Sequence, residues 1–145
     1  MFNLMEILNV SIFSVLGIVL MQVGVFLVDL AIPCSFPEEI KKGNNAVGFL
    51  MAGVYIGIGL IMRAVIASPA AEAAEATLMS GILGTLLYFA IGLVFCVVGY
   101  LALNLYNKIY KLNLNDEIGN GNQAAGIMVA GLFIGIAAIV SGVVA

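Results

Sequence analysis

The stretch "EEIKKGNNAVGFLMAGVYIGIGLIMRAVIA", Glu38 to Ala67, changes from charged to apolar within a few residues. The apolar part, Ala46 to Ala67, carries one charge, Arg63, near its end. It matches the ~20 residues that cross a ~30 Å hydrocarbon core at 1.5 Å per residue. The same order returns as "DEIGNGNQAAGIMVAGLFIGIAAIVSGVVA", Asp116 to Ala145. A charged hinge followed by a membrane-length run, written twice, predicts a helical membrane protein built by duplication.

An offset of 78 residues places Gly43 on Gly121 and leaves 14 identities over the 30 positions, without a gap. Apolar bias inflates such a count. It does not explain Glu39 on Glu117, Gly43 on Gly121 and Asn44 on Asn122 at fixed offsets. Gly48, Ala52, Gly53 and Gly57 fall on Gly126, Ala130, Gly131 and Gly135. Further upstream the alignment is weak, with Asp29 opposite Asn107. The expected repeats are about 5–67 and 78–145, within one membrane domain, 1–145. Two spans per unit make the repeats parallel, related by an axis along the membrane normal.

Composition agrees with a bilayer. The chain is 63% hydrophobic and 9% charged, with mean hydropathy +1.20. Soluble domains carry about 25% charged residues. Four apolar runs stand out, Met5 to Ile32, Ala46 to Ala67, Leu78 to Leu105 and Ala124 to Ala145. Helices are expected over 5–32, 46–67, 70–107 and 123–145. None alternates as a barrel strand would, and a helix satisfies its own backbone in lipid. The fold class is all-α, four transmembrane helices as two parallel helical hairpins. The start "MFNLMEILNV" lacks a basic region, so the first run is read as a retained span and not as a cleaved signal.

Between the runs the breaks are explicit. Pro33 and Pro37 cannot donate, Ser35 with Glu38 resembles a capping box, and a short interfacial helix follows. Gly43 and Gly121 suit a left-handed helix end, and Asn44 and Asn122 suit caps for the next helix. Ser68, Pro69, Glu72 and Glu75 are placed to open the third helix. Lys41, Lys42, Lys108 and Lys111 lie in two loops on one side, against Arg63 on the other. This bias puts loops 33–45 and 108–122 in the cytoplasm and both termini outside.

The doubled element Glu39-Ile40…Gly43-Asn44 and Glu117-Ile118…Gly121-Asn122, the four-span layout and the Gly-rich helix after each hinge resemble the YjfL-like inner-membrane protein family, catalogued as domain of unknown function 350. The resemblance covers nearly the whole chain. It implies a multi-pass protein of the bacterial plasma membrane, and it brings no catalytic residues.

Three sets of residues are candidates for function. Gly53, Gly57, Gly131 and Gly135 make small-residue faces, which ordinarily pack helices and alternatively line a narrow pore. They also predict a homo-oligomer. Ser11, Ser14, Gln22 and Asp29 share one face of the first helix, for interhelical bonding or for a hydrated path. Glu39, Gly43, Asn44, Glu117, Gly121 and Asn122 form the repeated hinge. Capping accounts for these residue types. The sharper alternative is a cytoplasmic mouth attracting cations or a protein partner.

Other classes are disfavoured. The chain has no His, and its two cysteines, Cys34 and Cys96, lie in a loop and an apolar run. No nucleophile has a base nearby, no metal-ligand cluster exists, and no basic patch meets nucleic acid, so no enzyme, cofactor or metal is expected. The second and fourth helices lack a central carboxylate, which a proton-translocating rotor requires. What remains is a small channel or transport-type homo-oligomer, or alternatively a scaffold docking a cytoplasmic partner at its acidic loops.

Overall fold

The structure, a computed structural model, describes residues 4–32, 34–67 and 77–144. Among these residues there is no strand. The helices are α1 (Leu4–Ala31), α2 (Phe36–Lys41), α3 (Asn45–Ile66), α4 (Leu78–Ile109), α5 (Leu114–Gly119) and α6 (Gln123–Val144). α1, α3, α4 and α6 are long and apolar enough to cross a membrane. At 1.5 Å per residue, the 22 residues of α3 or α6 reach ~33 Å, the 28 of α1 ~42 Å and the 32 of α4 ~48 Å.

Two local expectations are corrected. Ser35 precedes α2 in an extended conformation but makes no side-chain capping bond, so the box with Glu38 does not form. The Asp29 carboxylate, on the last turn of α1, instead accepts the Phe36 N–H at 2.7 Å. That bond folds the chain back from α1 into α2. The third long helix begins at Leu78 rather than near 70. Thr77 is extended, with φ −82° and ψ 155°, and its hydroxyl oxygen accepts the Ser80 N–H, which makes it the N-cap. Ser68, Pro69, Glu72 and Glu75 lie outside the described residues.

α3 is the inner helix, packed on α1, α4 and α6. Its buried side chains, Val47, Leu50, Val54, Ile58 and Ile61, recur at helical spacing. Glycines let neighbours come close. Ile58 seats on Gly24 of α1, and Ile61 seats on Gly92 of α4. Ile136 of α6 seats on Gly99 of α4. A Cβ at any of the three would overlap the isoleucine Cδ1. In lipid such contacts matter, because packing and not transfer from water holds helices together. α1 is different: only Leu20, Gly24, Val25 and Val28 are buried, and most of its surface is uncovered.

Candidate functional site

The two hinges lie side by side and share a local design. α2 ends as Gly43 turns to φ 77°, and α5 ends as Gly121 turns to φ 80°. An L side chain is disfavoured there. Gly43 N–H bonds Ile40 O at 3.0 Å and Asn44 N–H bonds Glu39 O at 2.9 Å. The second hinge repeats both, Gly121 to Ile118 at 3.0 Å and Asn122 to Glu117 at 2.9 Å. This nested pair satisfies carbonyls that a helix end otherwise leaves open. Each asparagine then serves the next helix. Asn44 Oδ1 accepts from Ala46 and Val47 N–H at 3.0 and 3.3 Å, and Asn122 Oδ1 accepts from Ala124 N–H at 3.1 Å.

The acids join the same network. Asn44 Nδ2 donates to Glu39 at 2.8 Å, and Asn122 Nδ2 donates to Glu117 at 2.6 Å. Glu39 also pairs with Lys42 at 2.7 Å. The Lys42 and Asn44 hydrogen bonds hold the Glu39 carboxyl below its ordinary range, and the same pairing raises Lys42. At the second hinge Asn120 stands where Lys42 would be. Cys34 faces this polar end. Burial first, then Asp29 and Glu39, push its thiol up to about 11. It and the buried Cys96 are free thiols.

A further contact distinguishes the hinges. Asn44 Nδ2 reaches across to Ile118 O at 2.9 Å and Gly119 O at 3.3 Å. The first hinge therefore bonds the second. Below it α3 lies against α6 at near-backbone distance. A Cβ on Gly53 would stand 2.6 Å from Ala130 Cβ, and one on Gly57 would stand 3.2 Å from Phe133 O. A Cβ on Gly126 would stand 2.7 Å from Ala46 Cα. Gly131 and Gly135 do not join this contact: both are exposed, with nothing within 4 Å of an added Cβ. α6 meets α3 through Gly126, Ala130, Phe133 and Ala137 instead.

The polar face of α1 does not enclose a passage within the single chain. Ser11, Ser14 and Gln22 are exposed, and Asp29 is half-buried in its bond to Phe36. Ser11 donates to Ile7 O of its own helix at 2.8 Å, and Gln22 accepts from Tyr55 OH at 3.3 Å. Two features were not read from the sequence. Tyr100 OH bonds Asn115 Oδ1, tying α4 to α5, and the buried Asn107 amide nitrogen has no hydrogen-bond partner among the described residues. Asn107 was visible only as the residue opposite Asp29. Among the described residues, no three His, Cys, Asp or Glu side chains group as metal ligands.

Comparisons with known proteins agree with this architecture. The chain is 22% identical over 136 residues to a UPF0719 transmembrane protein of Aquifex aeolicus (strain VF5), covering 94% of the chain and 49% of that relative. It thus spans about half of the relative's length. No solved structure matches. The family model for the Domain of Unknown Function (DUF350) matches residues 1–144. A match over that span, with four membrane-length helices behind a doubled hinge, makes the chain a multi-pass membrane protein that belongs to the DUF350 family.

Proposed function

We propose that the protein is a small homo-oligomeric channel or transport-type assembly of the bacterial plasma membrane, without enzymatic activity. The observation that supports this reading is the exposed polar face of α1. Ser11, Ser14 and Gln22 are exposed on a membrane-length helix, with the Tyr55 hydroxyl of α3 reaching Gln22. Polar groups at membrane depth turn toward protein or water. Another subunit, or a hydrated path between subunits, supplies that environment. In this reading the hinges 33–45 and 108–122 face the cytoplasm, the termini face outward, and Glu39 with Glu117 sits at the mouth.

The test is ion flux through purified protein in liposomes. Flux above empty liposomes, reduced by Ser14→Leu and Gln22→Leu, supports the reading. Absence of flux for several ions under several gating conditions overturns it. A reporter active only in the cytoplasm, fused after Ala145, checks the orientation, and a signal there refutes it.

A second reading, a non-conducting scaffold for a cytoplasmic partner, draws on the second hinge. Asp116 and Glu117 stand there with no lysine in the position of Lys42. Loss of partner capture in Glu39→Gln/Glu117→Gln, with the fold retained, supports it, and unchanged capture counts against it.

A further inference from the structure

The two hinge-and-helix units do not meet through matching residues. A two-fold pairing would repeat each contact with its partners exchanged, so Gly53 on Ala130 would require Ala52 on Gly131. Gly53 meets Ala130, Gly57 meets Phe133 and Ala137, and Ala46 meets Gly126, but Gly131 and Gly135 meet nothing within 4 Å. The first unit uses one face of its helix and the second unit uses a different one. Contacts of this kind are head to tail, and they leave one unmatched face at each end.

Both unmatched faces are present: that of α6 is open, and that of α3 is largely open from Ile40 to Ala52 and is bounded at Tyr55 by α1, whose Gln22 accepts the Tyr55 hydroxyl. The face of α3 that is buried against α6 contains Ala46, Leu50, Gly53 and Gly57. Its counterparts on α6 are Ala124, Met128, Gly131 and Gly135, identical at three positions of the four. Leu50 is fully buried, whereas Met128 is 37% exposed and both glycines meet nothing. The receiving face of the second unit contains Ile118, Gly126, Ala130 and Phe133. Its counterparts on the first unit are Ile40, Gly48, Ala52 and Tyr55. Ile118 is 0% exposed, whereas Ile40 is 46% exposed. Where the second unit holds the start of α3, the first has an empty groove of about 390 Å³ lined by Ile40, Gly43, Gly48, Phe49 and Ala52.

The hinge asparagines show the same inequality. Asn44 shares its amide between Glu39 and two carbonyls of the other unit, Ile118 and Gly119. The Asn122 amide, exposed, bonds Glu117 of its own hinge.

The geometry points to a second copy of this chain as the occupant of both faces. It sits head to tail, so that α6 of one copy makes on α3 of the next the contact that α3 makes on α6 within the chain. Gly131 then lies against Ala52 of the neighbouring copy, and Ala124 lies against its Gly48. The Asn122 amide reaches its Ile40 and Lys41 carbonyls. The chain's own interface, built from the same residue types in the same order, is the template. Each added copy leaves the same two faces open until the assembly closes, so a closed ring is the end state. This deepens the assembly part of the proposed function and does not depend on conduction.

Cross-linking tests it. Differently tagged full-length chains carrying Ala52→Cys or Gly131→Cys, each with Cys34→Ala and Cys96→Ala, are co-expressed, and their membranes are oxidised. The expected result is a cross-linked pair containing both tags, and none when either variant is expressed alone. A pair formed by Gly131→Cys alone means a face-to-face dimer and overturns the proposal. No pair at all means lipid on these faces and also overturns it. Gly131→Leu and Ala52→Leu provide the second measurement, the mass of the purified assembly in nanodiscs. Each is expected to lower it to that of one chain, and unchanged mass overturns the proposal. Pairs without flux leave this interface standing and remove conduction. Flux without pairs does the reverse.

Discussion

Asn44 Nδ2 lies 2.9 Å from the carbonyl oxygen of Ile118, 74 residues away, while its Oδ1 caps the helix that begins beside it. One side chain closes a helix end and joins the two hinges. Asn122, 78 residues on, caps its helix and bonds its own glutamate. Asn44→Ala should therefore cost about 1 kcal/mol for the cap and about 1 kcal/mol more for the bond across. Asn122→Ala should cost only the first part. Thermal unfolding in detergent, followed by circular dichroism, compares the two. Equal losses would show that the crossing bond contributes nothing.

Close approach at Gly53 makes a sharper contrast. Gly53→Ala forces a methyl group toward Ala130, and such overpacking costs about 1–3 kcal/mol. Gly84→Ala in α4 meets open space and gains helix propensity, about 0.5–1 kcal/mol. The same unfolding measurement should move in opposite directions for the two variants.

Acid should loosen the first hinge through Glu39. Its carboxyl is held below the ordinary 4.5 by Lys42 and Asn44. The folded form thus favours the charged carboxylate. Its contribution is complete above 4.5 and fades as pH falls through the lowered folded value. Glu39→Gln should remove this part of the acid dependence. Hydrogen exchange at Gly43 and Asn44, followed between pH 6 and pH 3, reads it directly.

Cys34 should be a slow thiol. At about 11 its pKa lies two units above the ordinary 9.0, so near neutrality it holds about 100-fold less thiolate than a free cysteine. Alkylation of the Cys96→Ala variant should keep accelerating about tenfold per pH unit beyond pH 9. A plateau near pH 9 would show an ordinary thiol. Asp29→Asn should speed the reaction by removing a neighbouring negative charge.

Much of the helical layout was legible because it follows from composition and local backbone rules. The runs from Ala46 and Ala124 are too apolar and too long for anything but spans. Gly43 and Asn44 mark a helix end and a helix start by conformational preference alone. The start of α4 was misplaced for a related reason. Pro69 with two following glutamates is a strong opening signal, and Thr77, another good cap, lies eight residues later. Which glycines would face a neighbour was not legible. Gly53 and Gly131 stand in the same Ala-Gly-x-x-Ile-Gly pattern, and one is covered while the other is bare. That outcome depends on which face of each helix its neighbour selects, a tertiary choice with no local signature. Ser11, Ser14 and Gln22 were recognised as one stripe by spacing, but spacing does not say what covers a stripe.

The unequal helix lengths bear on the membrane itself. α3 and α6, at ~33 Å, match a ~30 Å hydrocarbon core standing nearly upright. α4, at ~48 Å, fits the same slab only by leaning steeply or by reaching past its surface. Any lean is tied to Ile61 and Ile136, which are lodged at Gly92 and Gly99. Thinning or thickening the lipid is therefore expected to bear on those two lodgements before it bears on the α3–α6 contact.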